Sequence, residues 1–490
     1  MHEKTAIESP TTSAIRANMR LALCVLVFAF SIAPASTLAQ GGEIREQLRT
    51  LVVDAALGER IGISVVDVES GREIFSQRGD LALNPASNMK LVTAAASLVE
   101  LGPAFTMRTG VYGHIEDGRV ADLILRGRGD PSLDFGALAE LADALAARGV
   151  RAVDRLWVDG SYFDDQLLPP AFDQQPNETS AFRAAVSAVA VNRASFILRV
   201  MPARTVGQPA IVRLAGANYF QVDSQMNTTD GGAPNVIASQ RPGTDGRMSL
   251  TLRGSVPNGI LGVSYRRRVD DPLFHAGHIF AEALERAGMG GRRTVATGTG
   301  PSALPLLASH ESQPLSALLH RVGKFSDNFY AEMILKVMGA ERGTPGTSAR
   351  GTQASQAILV RAGVAPDAAT IINGSGLFDG NLIAARHLSA LLRFMYTSPS
   401  YRPEYLAQLA IGGTDGTLRR RLRNLPAPRI VRAKTGTLND AIALSGYVLG
   451  PTPDKVYAFS VLCNGIRGRQ GQARRLADSI VTTIAQHLHP

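Results

Sequence analysis

Ser87 and Lys90 stand three residues apart, Ser326, Asp327 and Asn328 follow one another, and Lys434, Thr435, Gly436 and Thr437 form a run near the C-terminus. A serine hydroxyl is a weak nucleophile until a neighbouring base takes its proton. A lysine amine can be that base when burial or a second cation drives off its own proton, whereas an arginine stays charged. The chain holds six lysines against 45 arginines, and three of the six lie in or beside these runs. The pattern points to covalent chemistry on Ser87 with Lys90 as base.

Each run must be held by an element that aims it. Asn84-Pro85 predicts the start of an apolar helix through Lys90, Leu91, Val92, Leu98 and Val99, with Asn84 as cap and Pro85 in the first turn. Residues three apart share a helix face, so Lys90 can reach the Ser87 hydroxyl, and the first-turn N–H of Ser87 is free for a developing oxyanion. Ser326-Asp327-Asn328 opens a second helix through Ala331, Ile334, Leu335 and Met338, after a break at Gly323. Ser326 would relay a proton, the Asn328 amide would bond Lys90 and the substrate backbone, and Lys324 would add a cation to the cleft. Lys434 to Thr437 read as a strand end along which an extended substrate can dock, with Gly436 keeping the approach clear. There Lys434 and Thr435 would bind a carboxylate, the Thr437 N–H would complete the oxyanion site, and the Lys434 charge would lower the pKa of Lys90. Taken singly, each run has a plain alternative: a capping serine, a surface lysine, a strand turning at glycine.

The first part after residue 39 reads as a helix from Ile44 to Leu57, then a hairpin of Gly62 to Val68 and Arg72 to Gln77 around Glu69-Ser70-Gly71. The last part reads as strands Arg429 to Lys434, Ala441 to Leu449 and Lys455 to Leu462, then a helix from Gly471 to His487. Together they predict an α+β domain, one antiparallel sheet flanked by helices and assembled from both chain ends: residues 40–105 and 302–490. The segment 106–301 is then an insertion of one or two smaller α+β domains. Its strands are expected near Val120 to Leu125, Leu156 to Val158, Phe196 to Val200, Ile211 to Leu214 and Met248 to Leu252, and its helices near Phe135 to Ala147 and Leu273 to Ala287.

Composition excludes several classes. With 45% hydrophobic and 19% charged residues over 490 positions, the chain is globular, with ample length for a large core. Arg20, the apolar stretch Leu21 to Ala33, Pro34 and the small-residue site ending at Ala39 predict a signal peptide over residues 1–39, with Met19 as an alternative start. No later stretch is long enough to span a membrane. Cys24 would leave with the signal, so Cys463 cannot form an internal disulfide and is expected to be buried. A net charge of +9 and Arg419-Arg420-Arg421 fit a solvated surface or an anionic envelope polymer better than nucleic acid, given export. His275-Ala-Gly-His278 has no third ligand beside it and reads as ordinary helix. Gly127-Arg-Gly129-Asp130 and Gly374-Ser375-Gly376 read as turns. No metal or organic cofactor is expected.

The ordered set S-x-x-K, S-D-N and K-T-G resembles that of penicillin-binding proteins and class A β-lactamases. Arg128-Gly-Asp-Pro-Ser-Leu133, Val186-Ser-Ala-Val-Ala-Val-Asn192, Ser326 to Glu332, Asn373-Gly-Ser-Gly-Leu377, Thr414-Asp-Gly-Thr-Leu418 and Lys434 to Leu438 extend the likeness. Together with the long insertion they resemble the class C, low-molecular-mass penicillin-binding proteins, the exported serine D-alanyl-D-alanine carboxypeptidase/endopeptidases similar to penicillin-binding protein 4. The resemblance implies a transpeptidase-like domain carrying two inserted domains, and action on peptidoglycan stem peptides and cross-links in the periplasm. It also implies acylation by β-lactam antibiotics. In this sequence Phe378-Asp379 follows Leu377 where relatives often place a basic residue. Glu178, before Phe182, is the candidate for an acidic residue that in some relatives holds the substrate's diaminopimelate amine. A β-lactamase or serine esterase of the same fold, and a catalytically silent peptidoglycan-binding protein, are the other functions this sequence admits.

Overall fold

A computed structural model describes residues 35–214, 216–291 and 293–490. Residues 1–34 of the expected signal peptide lie outside the described residues. The chain divides into Met1–Glu43 and Ile44–Pro490; the helix Ala35–Ala55 begins in the first part, and every later element belongs to the second.

The main sheet has six strands in the order Ala410–Ile411, Val431–Thr437, Ala441–Leu449, Val456–Asn464, Ile61–Asp67 and Glu73–Gln77, every neighbouring pair antiparallel. Val456–Asn464 beside Ile61–Asp67 brings the two ends of the sequence together, as the α+β reading requires. The inner strands are apolar almost without interruption because both faces are covered. Alternate residues divide between two cores. Ile61, Ile63, Val65, Leu444, Phe459 and Val461 pack with the helix Gln470–Leu488 and with Ile44 and Leu48. Ala443, Tyr447, Ala458 and Leu462 face the helices Met89–Glu100, Leu315–Lys324, Asn328–Glu341 and Ala385–Thr397. Burying each large side chain of these cores contributes roughly 1.5–3 kcal/mol. Cys463 is fully buried with a free thiol, whose pKa burial pushes up to about 12.

Between the two halves stand a five-stranded mixed sheet, Thr294–Thr297, Ala152–Asp159, Arg119–Gly127, Arg108–Tyr112 and Leu306–Glu311, and two three-stranded sheets. The five-stranded sheet takes its last strand from beyond residue 301. The strands Phe220–Thr229, Asn235–Pro242 and Val263–Arg268 carry no apolar run to announce them, since much of their surface faces solvent. The break expected at Gly323 falls one residue later, where Leu315–Lys324 ends ahead of Asn328–Glu341. A Cβ on Gly323 would collide with the carbonyl of Gln408, so close packing also requires the glycine. No helix among the described residues is long and apolar enough to cross a membrane.

Candidate active site

Ser87 sits in a 3-10 turn, Ala86–Asn88, immediately before the α-helix Met89–Glu100, and not within the first turn of the α-helix as expected. The Asn84 side-chain oxygen accepts the Ala86 N–H at 2.9 Å, as a cap would. Asn464 fastens this turn to the main sheet: its Oδ1 accepts the Asn84 N–H at 2.8 Å and its Nδ2 donates to the Asn84 carbonyl at 3.0 Å. Ala86 is held at φ +47° just before Ser87, a conformation that L side chains adopt only when their surroundings impose it.

Lys90 is 1% exposed. Its Nζ lies 3.2 Å from Ser87 Oγ and donates to Asn328 Oδ1 at 2.7 Å and to the Ser375 carbonyl at 2.7 Å. Burial lowers its pKa to about 7, while the carboxylates of Glu332 and Asp327 pull in the opposite direction. Desolvation, rather than the expected neighbouring cation, is what makes this amine available as a base. The cation effect falls on Lys434 instead, held well below its ordinary pKa by burial and then by Lys90.

Ser326 is strained in the left-handed region, φ +59°, and its Oγ lies 2.7 Å from Lys434 Nζ. Asp327 caps the helix Asn328–Glu341 that carries Asn328 toward Lys90. Lys434, Thr435 and Gly436 lie within the strand Val431–Thr437, opposite Ser445, Leu444 and Ala443. The short strand on the other side pairs only with Arg432 and Ala433, leaving Lys434 to Thr437 without a described strand partner on that edge. Gly436 also serves the packing of the fold. A Cβ there would meet Ala86 Cβ and the Pro85 carbonyl at 3.0 Å, so the glycine lets the Ser87 turn pack on the sheet. The Thr435 hydroxyl donates to Thr417 Oγ1 at 2.9 Å.

Ser87, Ser326, Asn328 and Thr437 line one cleft of about 970 Å³, together with Gln174, Glu178, Phe182 and Asp379. Lys90 and Lys434 are buried, bonded to the hydroxyls of Ser87 and Ser326 that line it. Lys324 is not a cation of this cleft: it pairs with Asp415 at 2.7 Å and donates to the Leu409 carbonyl. Glu178 accepts the Ser180 N–H at 2.7 Å and Asp379 accepts from Asn84 Nδ2 at 3.0 Å. Arg421 is bound to Asp478, which removes it from any free basic run. His275 and His278 are buried helix residues whose pKa values are lowered by burial, His275 to about 3. No cluster among the described residues could hold a metal ion.

Two partners of Lys90, Ser375 and Glu332, lie in runs that the sequence reading quoted without assigning either residue a role at the site. Gly374-Ser375-Gly376 is indeed a turn, but it aims the Ser375 carbonyl at Lys90. The turn is wrapped around Glu332, fully buried, whose carboxylate accepts the N–H groups of Ser375 at 2.7 Å and Gly374 at 3.1 Å. Burial raises the Glu332 pKa, partly offset by these donors. A charged residue amid the apolar run Ala331 to Leu335 was the available clue. Glu332→Gln replaces one acceptor by a donor facing a buried N–H, and is expected to destabilise the protein by about 1–3 kcal/mol in denaturant unfolding. Slower acylation of Ser87 should accompany the loss.

The fold and the site together define a transpeptidase-like serine enzyme. The crystal structure of penicillin binding protein 4 from Haemophilus influenzae shares the fold, with a TM-score of 0.75 at 23% identity over 89% of this chain and 99% of that one. The chain belongs to the D-Ala-D-Ala carboxypeptidase 3 (S13) family, whose description matches residues 44–486. It is 36% identical over 465 residues to a D-alanyl-D-alanine carboxypeptidase of Actinomadura sp., covering 91% of this chain and 85% of the relative. It is 25% identical over 418 residues to D-alanyl-D-alanine carboxypeptidase DacB of Haemophilus influenzae, 83% and 86% covered. The family expected from the motifs is the family found.

Proposed function

We propose that this protein is a serine D-alanyl-D-alanine carboxypeptidase/endopeptidase that cleaves peptidoglycan stem peptides and cross-links through an acyl-enzyme on Ser87. The observation that carries the reading is the Lys90 amine, buried, brought to a pKa of about 7 and placed 3.2 Å from the Ser87 hydroxyl. Neutral Lys90 takes the Ser87 proton as Oγ attacks the carbonyl of the scissile D-Ala bond. The N–H groups of Ser87 and Thr437 receive the oxyanion. The Ser326 hydroxyl, bonded to Lys434, gives its proton to the leaving amine as it takes up the one held by Lys90; Lys90, neutral again, then takes a proton from the attacking water, which releases the acyl group and returns a proton to Ser87. Asn328 holds Lys90 and the substrate backbone, which extends along the open edge at Lys434 to Thr437 by β-augmentation. Lys434 and Thr435 receive the terminal carboxylate, whose charge raises the depressed pKa of Lys434 and restores its proton.

Penicillins present a strained amide in place of that bond and acylate the same serine; a Haemophilus influenzae relative of this fold has been solved with a β-lactam bound. The compartment is the periplasm or another exported space, reached through a signal peptide over residues 1–39. The catalytic domain comprises residues 40–105 and 302–490 apart from Leu306–Glu311, and 106–301 inserts two smaller domains, supported by the separate sheets of that segment, one of which Leu306–Glu311 completes.

The direct test is release of D-alanine from a diacylated L-Lys-D-Ala-D-Ala peptide, with and without benzylpenicillin pretreatment. Release that pretreatment abolishes is the expected result. A protein that binds the peptide and leaves it whole would be a silent binding protein, and the reading would fall.

A further inference from the structure

A second pocket, of about 410 Å³, is lined by two arginines that pair with Asp327 and shares no lining residue with the Ser87 cleft. Three guanidinium groups converge on it, from Arg193, Arg266 and Arg321, and each is oriented by a different device. Arg193 projects from Asn192-Arg193-Ala194, three successive residues at φ +54°, +62° and +43°. Arg321 stacks over the rings of Phe325 and Tyr330, at 4.9 and 5.8 Å. Arg266 donates to Ser195 Oγ at 3.1 Å.

The charges do not balance. Asp327 serves both Arg193, at 2.9 Å, and Arg321, at 3.3 Å. Asp134, also in the lining, spends one oxygen on capping its own helix. Among the described residues no carboxylate pairs with Arg266. Its pKa is lowered by desolvation and by repulsion from Arg193 and Arg321, which the more distant Asp327 carboxylate offsets in part. Proteins place guanidinium groups this way to grip oxyanions through forked hydrogen bonds. Three convergent forks offer more donors than the two oxygens of a planar carboxylate can accept, and the Tyr330 hydroxyl in the same lining adds another. A tetrahedral phosphate matches that surplus.

We propose that this pocket is a second ligand site that takes a phosphate group, free or within a phosphodiester polymer. It does not depend on the assignment of Ser87 as nucleophile. The test is thermal unfolding of the full protein against inorganic phosphate at constant ionic strength, repeated for Arg266→Gln and for Arg474→Gln, an exposed arginine elsewhere. A saturable rise in Tm is expected, with affinity weakened about tenfold or more by Arg266→Gln and unchanged by Arg474→Gln. Arg266→Lys, which keeps the charge and loses the fork, should fall between. An oligomer of glycerol phosphate then separates the sources: tighter binding per phosphate assigns a polymer, equal binding assigns free phosphate. A rise in Tm that never saturates, or one that Arg266→Gln leaves intact, would overturn the site. Unaltered D-alanine release by Arg266→Gln checks that the variant is folded.

Discussion

Ser87→Ala is expected to lower D-alanine release by roughly 10⁴ to 10⁶, the range lost when a serine hydrolase is deprived of its nucleophile. Stability should change little, because the hydroxyl lines an open cleft and its hydrogen-bond partner Lys90 Nζ, at 3.2 Å, keeps two shorter bonds to Asn328 and Ser375. The residual rate then measures what the rest of the site achieves by binding and orientation alone. Release of D-alanine together with unfolding in denaturant separates loss of chemistry from loss of fold. Activity close to wild type with an intact fold would remove Ser87 from the mechanism.

The second large effect is on pH. A base must be neutral to accept the Ser87 proton, and Lys90 in the free enzyme loses its own proton at about 7. The acylation rate by benzylpenicillin should therefore rise tenfold per pH unit below that value and level off above it. Lys90→Arg keeps the charge but cannot become neutral, and should lose roughly 10²- to 10⁴-fold at every pH with the inflection gone. The stability contribution of this residue has the opposite origin and a definite sign. Between pH 7 and 10.5 the unfolded chain binds a proton at Lys90 that the fold has released, so at this residue stability rises with pH across that window. A flat rate profile between pH 5 and 9 would mean that Lys90 is not the base.

The groups proposed to react were legible because their chemistry is local in sequence: Ser87 and Lys90 are one turn apart, and the other two runs are contiguous. Regular elements with strong periodicity were equally plain, such as the strand Ala441–Leu449 and the helix Phe135–Ala147. What the sequence could not convey is contact across it. Glu332 reaches Ser375, and Lys324 is taken by Asp415, through bonds that close only in the fold. For the same reason Lys324 was expected in the cleft and is not there. Gly323 was read as a helix break and Gly436 as clearance for a substrate, and the fold adds that both accommodate a neighbour packed against them. The strained conformations of Ala86 and Ser326 likewise exist only because the sheet and helices around them impose it.

Mass spectrometry of the intact protein after benzylpenicillin, followed by peptide mapping, asks the central question most directly. A long-lived penicilloyl adduct on Ser87, absent from Ser87→Ala, is the predicted result. An adduct on another residue, or penicillin consumed rapidly with no adduct retained, would contradict the account, the latter in favour of a β-lactamase.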